Sequence, residues 1–240
     1  MKNIKALFID CDGVLYDKKE CTNQDIAIIG LDKTLAQYNI SLKEFNQRHE
    51  DLRQAGVRGI FNAVLDLCVA RGVPFNNFAN SMVNNTNYSR ISPDPEMLKL
   101  LKMTSKLLPI YIVTNNSTPH LNKIFACLNN GIFLQDVQKE LNIHFFAIES
   151  TLSGGIFHSK KMEKQLTNLC TQIGCKPQEV LLLDDTESVR KIAAEQGLQI
   201  TKKAIENPKE TKTILRSALN ERAKAKRPIS LRKTRCRIGR

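Results

Sequence analysis

Carboxylate, hydroxyl and amide side chains follow three separate apolar runs of this sequence. They are, in chain order, Asp10, Asp12, Thr114, Asn115, Asp184 and Asp185. An ionised aspartate can attack phosphorus, and a carboxylate two residues further on can protonate the leaving oxygen and then activate water. The pattern therefore predicts phosphoryl transfer, with Asp10 as the nucleophile and Asp12 as the general acid and base.

A divalent cation is the second expectation from the same side chains. Four carboxylates in one crevice, those of Asp10, Asp12, Asp184 and Asp185, would repel one another strongly without a counter-charge. Oxygen ligands of this kind suit Mg²⁺, so we predict that these four residues form a magnesium site. We further expect Lys160, Thr114 and Asn115 to bind the substrate phosphoryl group, where Lys160 would stabilise the charge on its oxygens.

The elements that must position these residues alternate along the chain. Apolar runs at residues 4–9, 109–113, 143–148 and 180–183 predict buried strands, and patterns at 120–129, 161–173 and 188–196 predict helices. Alternation of this kind indicates an α/β fold with a parallel, Rossmann-like sheet. Ligands of such sheets bind beyond the carboxyl ends of the strands, where all of the side chains named above are predicted to converge.

Residues 16–91 interrupt this alternation. Ser41 and Glu44 form a capping-box pattern there, and the apolar residues have helical spacing. The segment is far longer than an ordinary connection of about 2 to 6 residues. We therefore predict an α/β catalytic core from residues 1–15 and 92–206, with a helical cap from 16–91 over the sheet edge.

The net charge of +12 is concentrated at one end of the chain. Residues 202–240 carry 14 Lys or Arg against three Glu, which leaves a nearly neutral body. Residues 207–240 are predicted as a basic C-terminal helix and tail, with the helix over 207–225. We expect either a solvated extension or weak binding to nucleic acid or an acidic surface. A non-catalytic, nucleic-acid-associated protein is thus the alternative function class.

The cysteines and the apolar runs bear on location. The seven cysteines are scattered and include no CxxC pair, which favours a reducing cytosol over a disulfide framework or a zinc site. No apolar run approaches the roughly 18 residues needed to span a membrane, and acidic residues interrupt the opening segment where a signal peptide would be apolar. We therefore expect a cytoplasmic protein with no membrane span.

The spacing of these motifs resembles the haloacid dehalogenase superfamily. The similar parts are DxDGV from Asp10, Thr114-Asn115, a lysine and LLLDD ending at Asp185, within a span of about residues 5–200. The resemblance implies a three-layer α/β sandwich with a type 1 helical cap, and a Mg²⁺-dependent phosphatase that works through an aspartyl-phosphate. Asp12 argues against a dehalogenase, because relatives that act on carbon–halogen bonds lack this second aspartate.

The resemblance also bears on the choice of lysine. Relatives have a lysine some two dozen residues before the acidic pair, with a Gly and a Lys-Pro between them. Gly174 and Lys176-Pro177 fit that register and select Lys160. Lys161 is the alternative.

Within the superfamily, residues 87–94 and 114–120 resemble the pyrimidine 5'-nucleotidase-like group. The cap segment that contains Gly56, Arg58 and Gly59 is also similar to a loop of that group. A nucleoside 5'-monophosphate is the implied substrate, and phosphoglycolate or a sugar phosphate is the alternative small phosphorylated metabolite. We expect Arg58, and in the same way Arg53, to face either the substrate or solvent. His120 is predicted to be a helix-start residue rather than a catalyst.

Overall fold

A parallel sheet of five strands forms the centre of the computed structural model, which describes residues 3–22, 24–131, 143–162, 164–203 and 205–226. The strands are β1 (Ala6–Ile9), β2 (Ile110–Val113), β3 (Ile143–Phe146), β6 (Val180–Leu183) and β7 (Gln199–Ile200), in the order β3-β2-β1-β6-β7. A short antiparallel hairpin, β4 (Leu152–Ser153) and β5 (Ile156–Phe157), lies outside this sheet. All four predicted strands are present. The two residues of β7 are too few to give a sequence signal.

The register of the central strands explains where the polar side chains lie. Ile9 pairs with Ile112 of β2 and with Leu183 of β6. Each of these strands ends at or one residue beyond its paired position, so Asp10, Thr114 and Asp184 leave the sheet at one edge. Both faces of β1 and β6 are buried, which is why these strands are continuously apolar in sequence.

Helices cover both faces of the sheet. Those in the described residues are α1 (Leu31–Gln37), α2 (Leu42–Gln54), α3 (Ile60–Ala70), α4 (Phe75–Asn85), α5 (Pro95–Ser105), α6 (Thr118–Leu128), α7 (Gln165–Gln172), α8 (Glu187–Glu195) and α9 (Pro208–Lys226). Leu7 and Ile9 belong to the apolar cluster that contains α5 and α6, whereas Ala6 and Phe8 belong to the cluster of α7 and α8. Because successive strand residues point to opposite faces, β1 contributes to both layers.

The segment between β1 and β2 is helical, as predicted. A π-helix (Gln24–Gly30) leads into α1, and α2, α3 and α4 follow. Ser41 Oγ accepts a hydrogen bond from Glu44 N at 3.1 Å and so caps α2. The Glu44 carboxylate pairs with Arg71 at 2.7 Å instead of returning to the cap, so only half of the predicted capping box forms.

The predicted start of the helix over residues 161–173 was wrong. This helix, α7, begins at Gln165, because Lys164 has a left-handed backbone with φ of 61° that interrupts helical geometry. Lys160 therefore lies in a turn before the helix rather than at its start. The turn carries Lys160 to the sheet edge, where it is 3% exposed.

The predicted C-terminal helix corresponds to α9, which packs against α5. Leu215 and Ala218 are buried in this contact, and Lys212 Nζ lies 2.6 Å from Asp94 Oδ2. The first part of the basic extension is thus part of the folded body. The predicted tail beyond residue 226 lies outside the described residues. None of the helices in the described part of the chain combines the length and the apolar character that a membrane crossing requires.

Candidate active site

Asp10 lies directly after β1 and is almost completely buried. Its backbone N–H donates to Leu183 O at 2.8 Å, and its Oδ1 accepts from Cys11 N at 2.8 Å. Lys160 Nζ lies 2.8 Å from Asp10 Oδ1 and 2.7 Å from Asp184 Oδ2. The lysine therefore bridges the ends of β1 and β6. Lys161, the alternative lysine, is exposed and has no ion-pair partner among the described residues.

Three carboxylates, two of which contact this lysine, gather at the same point. One oxygen each of Asp10, Asp184 and Asp185 lies within 4.8 Å of the others. Thr186 N donates to Asp184 Oδ1 at 2.9 Å, and Lys18 forms an ion pair with Asp185. Burial raises the pKa of Asp10 to about 8, and the charges of Asp184 and Asp12 act in the same direction against the opposing effect of Lys160.

These observations test whether a cation fits. The donors are all carboxylate oxygens and they are crowded, with Asp10 and Asp184 buried and Asp185 half-buried. Burial, and after it the charge of Asp184, raises the pKa of Asp10. Hard divalent cations prefer such a set, and Mg²⁺ is bound through one or two carboxylates with water and phosphate oxygens as its other ligands. The residues present therefore fit Mg²⁺.

The carboxylate of Asp12 has a different environment. Its Oδ1 accepts from the Tyr16 hydroxyl and contacts His120 Nε2 at 2.9 Å, while its Oδ2 accepts from Asn116 Nδ2 at 2.7 Å. Although burial by itself raises the pKa of Asp12, His120, Tyr16 and Asn116 together hold that pKa well below its usual range. Of the four carboxylates predicted to bind metal, those of Asp10, Asp184 and Asp185 thus form one cluster. The carboxylate of Asp12 instead faces the hydrogen-bond donors Tyr16, Asn116 and His120.

Thr114 and Asn115 follow β2 at the same edge. Thr114 Oγ1 accepts from Asn116 N at 3.1 Å, and Asn115 Oδ1 accepts from Lys160 N at 2.9 Å. Asn115 therefore ties the turn that carries Lys160 to the end of β2. Both residues line a cavity of about 260 Å³, together with Asp10, Asp12 and Lys160.

A second crevice of about 510 Å³ adjoins this cavity. The two share the lining residues Ile60, Asn115, Asn116 and Lys161. Arg58 and Arg53 lie in this crevice rather than at Asp10. Arg53 is held by Glu50, with Nε 2.8 Å from Oε2, whereas the Arg58 guanidinium has no ion-pair partner in the described part of the chain.

Sequence reasoning missed five side chains around Asp12 and Asp185. They are Tyr16, Lys18, Tyr88, Asn116 and His120. His120 does lie in the first turn of α6, as predicted, and its side chain also reaches Asp12. Because His120 follows the Thr114-Asn115 motif at the end of β2 by about one helical turn, its position in the sequence could have indicated that it lies near the site. Tyr88, which contacts only His120 in this set, lies in the segment 87–94 that resembles the pyrimidine 5'-nucleotidase-like group, and that likeness is its sequence signal.

Solved structures with a similar fold come from several bacteria. A CbbY mutant from Rhodobacter sphaeroides in complex with xylulose-1,5-bisphosphate has a TM-score of 0.50 at 11% identity, over 82% of this chain and 84% of that one. A predicted HAD-like family hydrolase from Porphyromonas gingivalis has 0.49 at 16%, over 88% and 98%. A HAD family enzyme from Bacteroides thetaiotaomicron, in complex with magnesium and inorganic phosphate, has 0.45 at 18%, over 82% and 93%. At such identities the likeness concerns the fold alone.

The family is shown by a comparison of sequence. No curated protein matches this chain significantly. A family model described as haloacid dehalogenase-like hydrolase matches residues 4–196. That span runs from just before β1 to just beyond α8 and includes every residue of the Asp10 site, so the chain belongs to the haloacid dehalogenase-like hydrolases and is an enzyme.

Proposed function

We propose that the protein is a Mg²⁺-dependent phosphomonoester hydrolase that works through an aspartyl-phosphate at Asp10. The observation that carries this proposal is the position of Lys160, whose ammonium contacts both Asp10 and Asp184 at the sheet edge. A buried cation at that point can stabilise the charge on a transferring phosphoryl group and can keep Asp10 ionised for attack. Thr114 and Asn115, which line the same cavity, would bind the phosphoryl oxygens.

The two steps divide between two aspartates. An Asp10 oxygen forms the bond to phosphorus as the ester P–O bond breaks. Asp12, which is ionised in the free protein, takes up one proton from solvent when the negatively charged substrate binds beside it and gives that proton to the departing alkoxide. Asp12 then takes a proton from water as that water attacks the phosphorus of the aspartyl-phosphate, which releases phosphate and restores Asp10. The proton count is balanced because Asp12 gives one proton and regains one.

Mg²⁺ would be held by the carboxylates of Asp10, Asp184 and Asp185. When bound, it supplies positive charge against the phosphoryl oxygens and the crowded carboxylates. The sequence also predicts a contribution from Asp12. Because its carboxylate already accepts from Tyr16, Asn116 and His120 and is assigned to proton transfer, we assign that contribution to its main-chain oxygen.

We infer that the helical segment between β1 and β2 is a type 1 cap. We also infer that the substrate is a nucleoside 5'-monophosphate. Three features support this choice of substrate. The crevice of about 510 Å³ next to the phosphate cavity has the size of a small-molecule site. Arg58, which lines it without an ion-pair partner among the described residues, could stack on a base or contact a hydroxyl. The likeness of residues 87–94 and 114–120 to the pyrimidine 5'-nucleotidase-like group points the same way.

A substrate panel tests the reaction and the substrate together. Phosphate release is measured for nucleoside 5'-monophosphates, phosphoglycolate and sugar phosphates, with Mg²⁺ or with EDTA. We expect turnover that EDTA abolishes and that the Asp10→Asn variant loses, with the highest kcat/KM for a nucleoside monophosphate. Absence of turnover across the panel would contradict the reaction. Equal kcat/KM for phosphate esters with and without a nucleobase would contradict the proposed substrate.

A second candidate is phosphoglycolate or a sugar phosphate with a further acidic group. The observation that favours it is the charge of the crevice: His49, Arg53, Arg58 and Lys161 line it, and no carboxylate does among the described lining residues. A distal anion on the leaving group would be attracted there. The Arg58→Gln variant tests this candidate. If the candidate is right, the KM of the variant rises for phosphoglycolate and stays the same for a phosphate ester of an uncharged sugar.

A further inference from the structure

A buried chain of hydrogen bonds leads away from Asp12. His120 Nε2 lies 2.9 Å from Asp12 Oδ1, and His120 Nδ1 lies 2.8 Å from the Tyr88 hydroxyl. His120 is 3% exposed and Tyr88 is 5% exposed. The two rings also pack on each other, with their centroids 5.6 Å apart. Tyr88 lies just after α4, so these hydrogen bonds connect the helical segment between β1 and β2 to the sheet edge.

The donors and acceptors in this chain can be assigned from chemistry. An ionised carboxylate only accepts hydrogen bonds, so His120 Nε2 must carry the hydrogen that points to Asp12. In the neutral ring the Tyr88 hydroxyl then donates to Nδ1, and in the imidazolium, where both nitrogens donate, Nδ1 donates to that hydroxyl. In both forms the Tyr88 contact orients the ring so that Nε2 donates to Asp12.

The two oxygens of Asp12 are used unequally. Oδ1 receives two donors, the Tyr16 hydroxyl and His120 Nε2, whereas Oδ2 receives one, Asn116 Nδ2. A carboxylate offers about two acceptor directions on each oxygen. Oδ1 is therefore saturated, and the remaining acceptor direction lies on Oδ2. That oxygen is the one available to carry a proton to or from a reacting group.

We propose that His120, oriented by Tyr88, is a positioning residue that fixes the Asp12 carboxylate with Oδ2 as its proton-transfer atom. This inference rests on the proposed function, in which Asp12 is the general acid and base. Without the His120 contact, Oδ1 would have a free acceptor direction and the carboxylate could rotate. Proton transfer depends on positioning within hydrogen-bond reach of the reacting oxygen. His120 belongs neither to the described lining of the cavity of about 260 Å³ nor to the cluster of Asp10, Asp184 and Asp185.

The dependence of kcat/KM on the leaving group tests this inference, because a merely structural role of His120 would not change that dependence. Departure of p-nitrophenolate needs no proton, whereas departure of an alkoxide does. We therefore compare kcat/KM for p-nitrophenyl phosphate and for an alkyl phosphomonoester that the wild-type protein hydrolyses. The variants are His120→Leu, His120→Gln and Tyr88→Phe. His144→Leu and Tyr38→Phe are matched controls away from Asp12, and thermal unfolding is measured for all of them.

The expected result is selective. His120→Leu lowers kcat/KM for the alkyl ester by about 100-fold, the lower end of the usual contribution of a general acid, and changes that for p-nitrophenyl phosphate only a few-fold. His120→Gln, whose amide can donate near the place of Nε2, restores most of the loss. Tyr88→Phe shows the same selectivity to a smaller extent, and the two controls leave both substrates unchanged.

Two outcomes overturn the inference while the proposed function stands. One is an equal loss for both substrates in His120→Leu, and the other is a His120→Gln variant no better than His120→Leu. If His120→Leu does not fold, Tyr88→Phe decides, and an equal loss for both substrates or no loss in that variant overturns the inference. A wild-type protein without Mg²⁺-dependent turnover, or an Asp10→Asn variant that retains it, overturns the proposed function and this inference with it.

Discussion

Lys160 Nζ lies 2.8 Å from Asp10 Oδ1, and both side chains are buried at the carboxyl edge of the sheet. The contact joins a turn that precedes α7 to the end of β1. Its consequence is that one ammonium faces the Asp10 carboxylate, while the neighbouring Lys161 remains exposed. The two adjacent lysines therefore offer a direct comparison.

Replacement of Lys160 should remove most of the activity. For Lys160→Met we expect kcat to fall by about 100- to 1,000-fold, because a preorganised charge in a buried site contributes about that much to the transition state. Lys161→Met is the comparison: its kcat should change little, and any effect should appear in KM, because Lys161 lines the crevice beside the cavity. Steady-state kinetics and thermal unfolding of both variants provide the measurement. A greater loss of kcat in Lys161→Met would show that the wrong lysine has been assigned.

Magnesium affinity should depend on pH through Asp10. Burial raises the pKa of this carboxyl to about 8 in the metal-free protein, with Asp184 and Asp12 adding to the effect. Below that pKa a proton competes for the carboxylate, so the apparent Kd for Mg²⁺ should rise by up to about tenfold per pH unit as the pH falls. Above it the affinity should level off.

Calorimetric Mg²⁺ titrations between pH 6 and pH 9 measure this dependence. The Asp10→Asn variant is the control, since its amide does not titrate, and its affinity should vary much less over the same range. A wild-type affinity that is constant across the range would contradict the raised pKa.

Gly13 should resist replacement for two separable reasons. Its φ of +78° is in the left-handed region, which costs an L-residue about 1 to 2 kcal/mol, and an added Cβ would lie 2.6 Å from Asp185 Oδ2. Gly13→Ala should therefore lower the free energy of unfolding and also weaken Mg²⁺ binding, because Asp185 must move. Gly174→Ala has the same kind of backbone, with φ of +71°, and open space around it.

Urea unfolding and Mg²⁺ titration of the two glycine variants separate the effects. Gly174→Ala should lose a similar amount of stability and keep its Mg²⁺ affinity. Equal Mg²⁺ affinity in both variants would mean that Asp185 is not displaced.

The helix α9 should be necessary for stability, although the basic residues after it should not. Leu215 is fully buried against the body of the protein, and Leu215→Ala should cost about 2 to 5 kcal/mol in the free energy of unfolding. Arg216→Ala, which removes an exposed ion pair with Glu96, should cost less than about 1 kcal/mol. Chemical denaturation of both variants measures the difference.

This packing determines how the basic tail is tested. A chain cut after residue 206 would lose α9 and unfold more easily, whereas a chain of residues 1–226 should keep its melting temperature. If the tail binds RNA, the full chain should bind with an affinity that falls steeply with salt, and residues 1–226 should bind less. Equal, weak binding by both chains would contradict that function.

Much of the fold was predictable because its signals are local. β1 and β6 are buried on both faces, so each is a continuous apolar run, and in a parallel sheet such a run ends where a site begins. The positions of Asp10, Thr114 and Asp184 follow from that relation alone. The start of α7 was not predictable, because the left-handed backbone of Lys164 leaves no mark in the periodicity of the side chains.

The sequence by itself determined the family and the residues at the strand ends, since both depend on short-range spacing. Only the tertiary structure decided what each carboxylate faces: Asp10 faces Lys160, and Asp12 faces His120 and Asn116. Those contacts join residues far apart in the chain. Their geometry depends on how β1, β2 and the turn before α7 pack together, and no local pattern encodes such packing. The same holds for the crevice beside Arg58, which forms only where the helical segment meets the sheet edge.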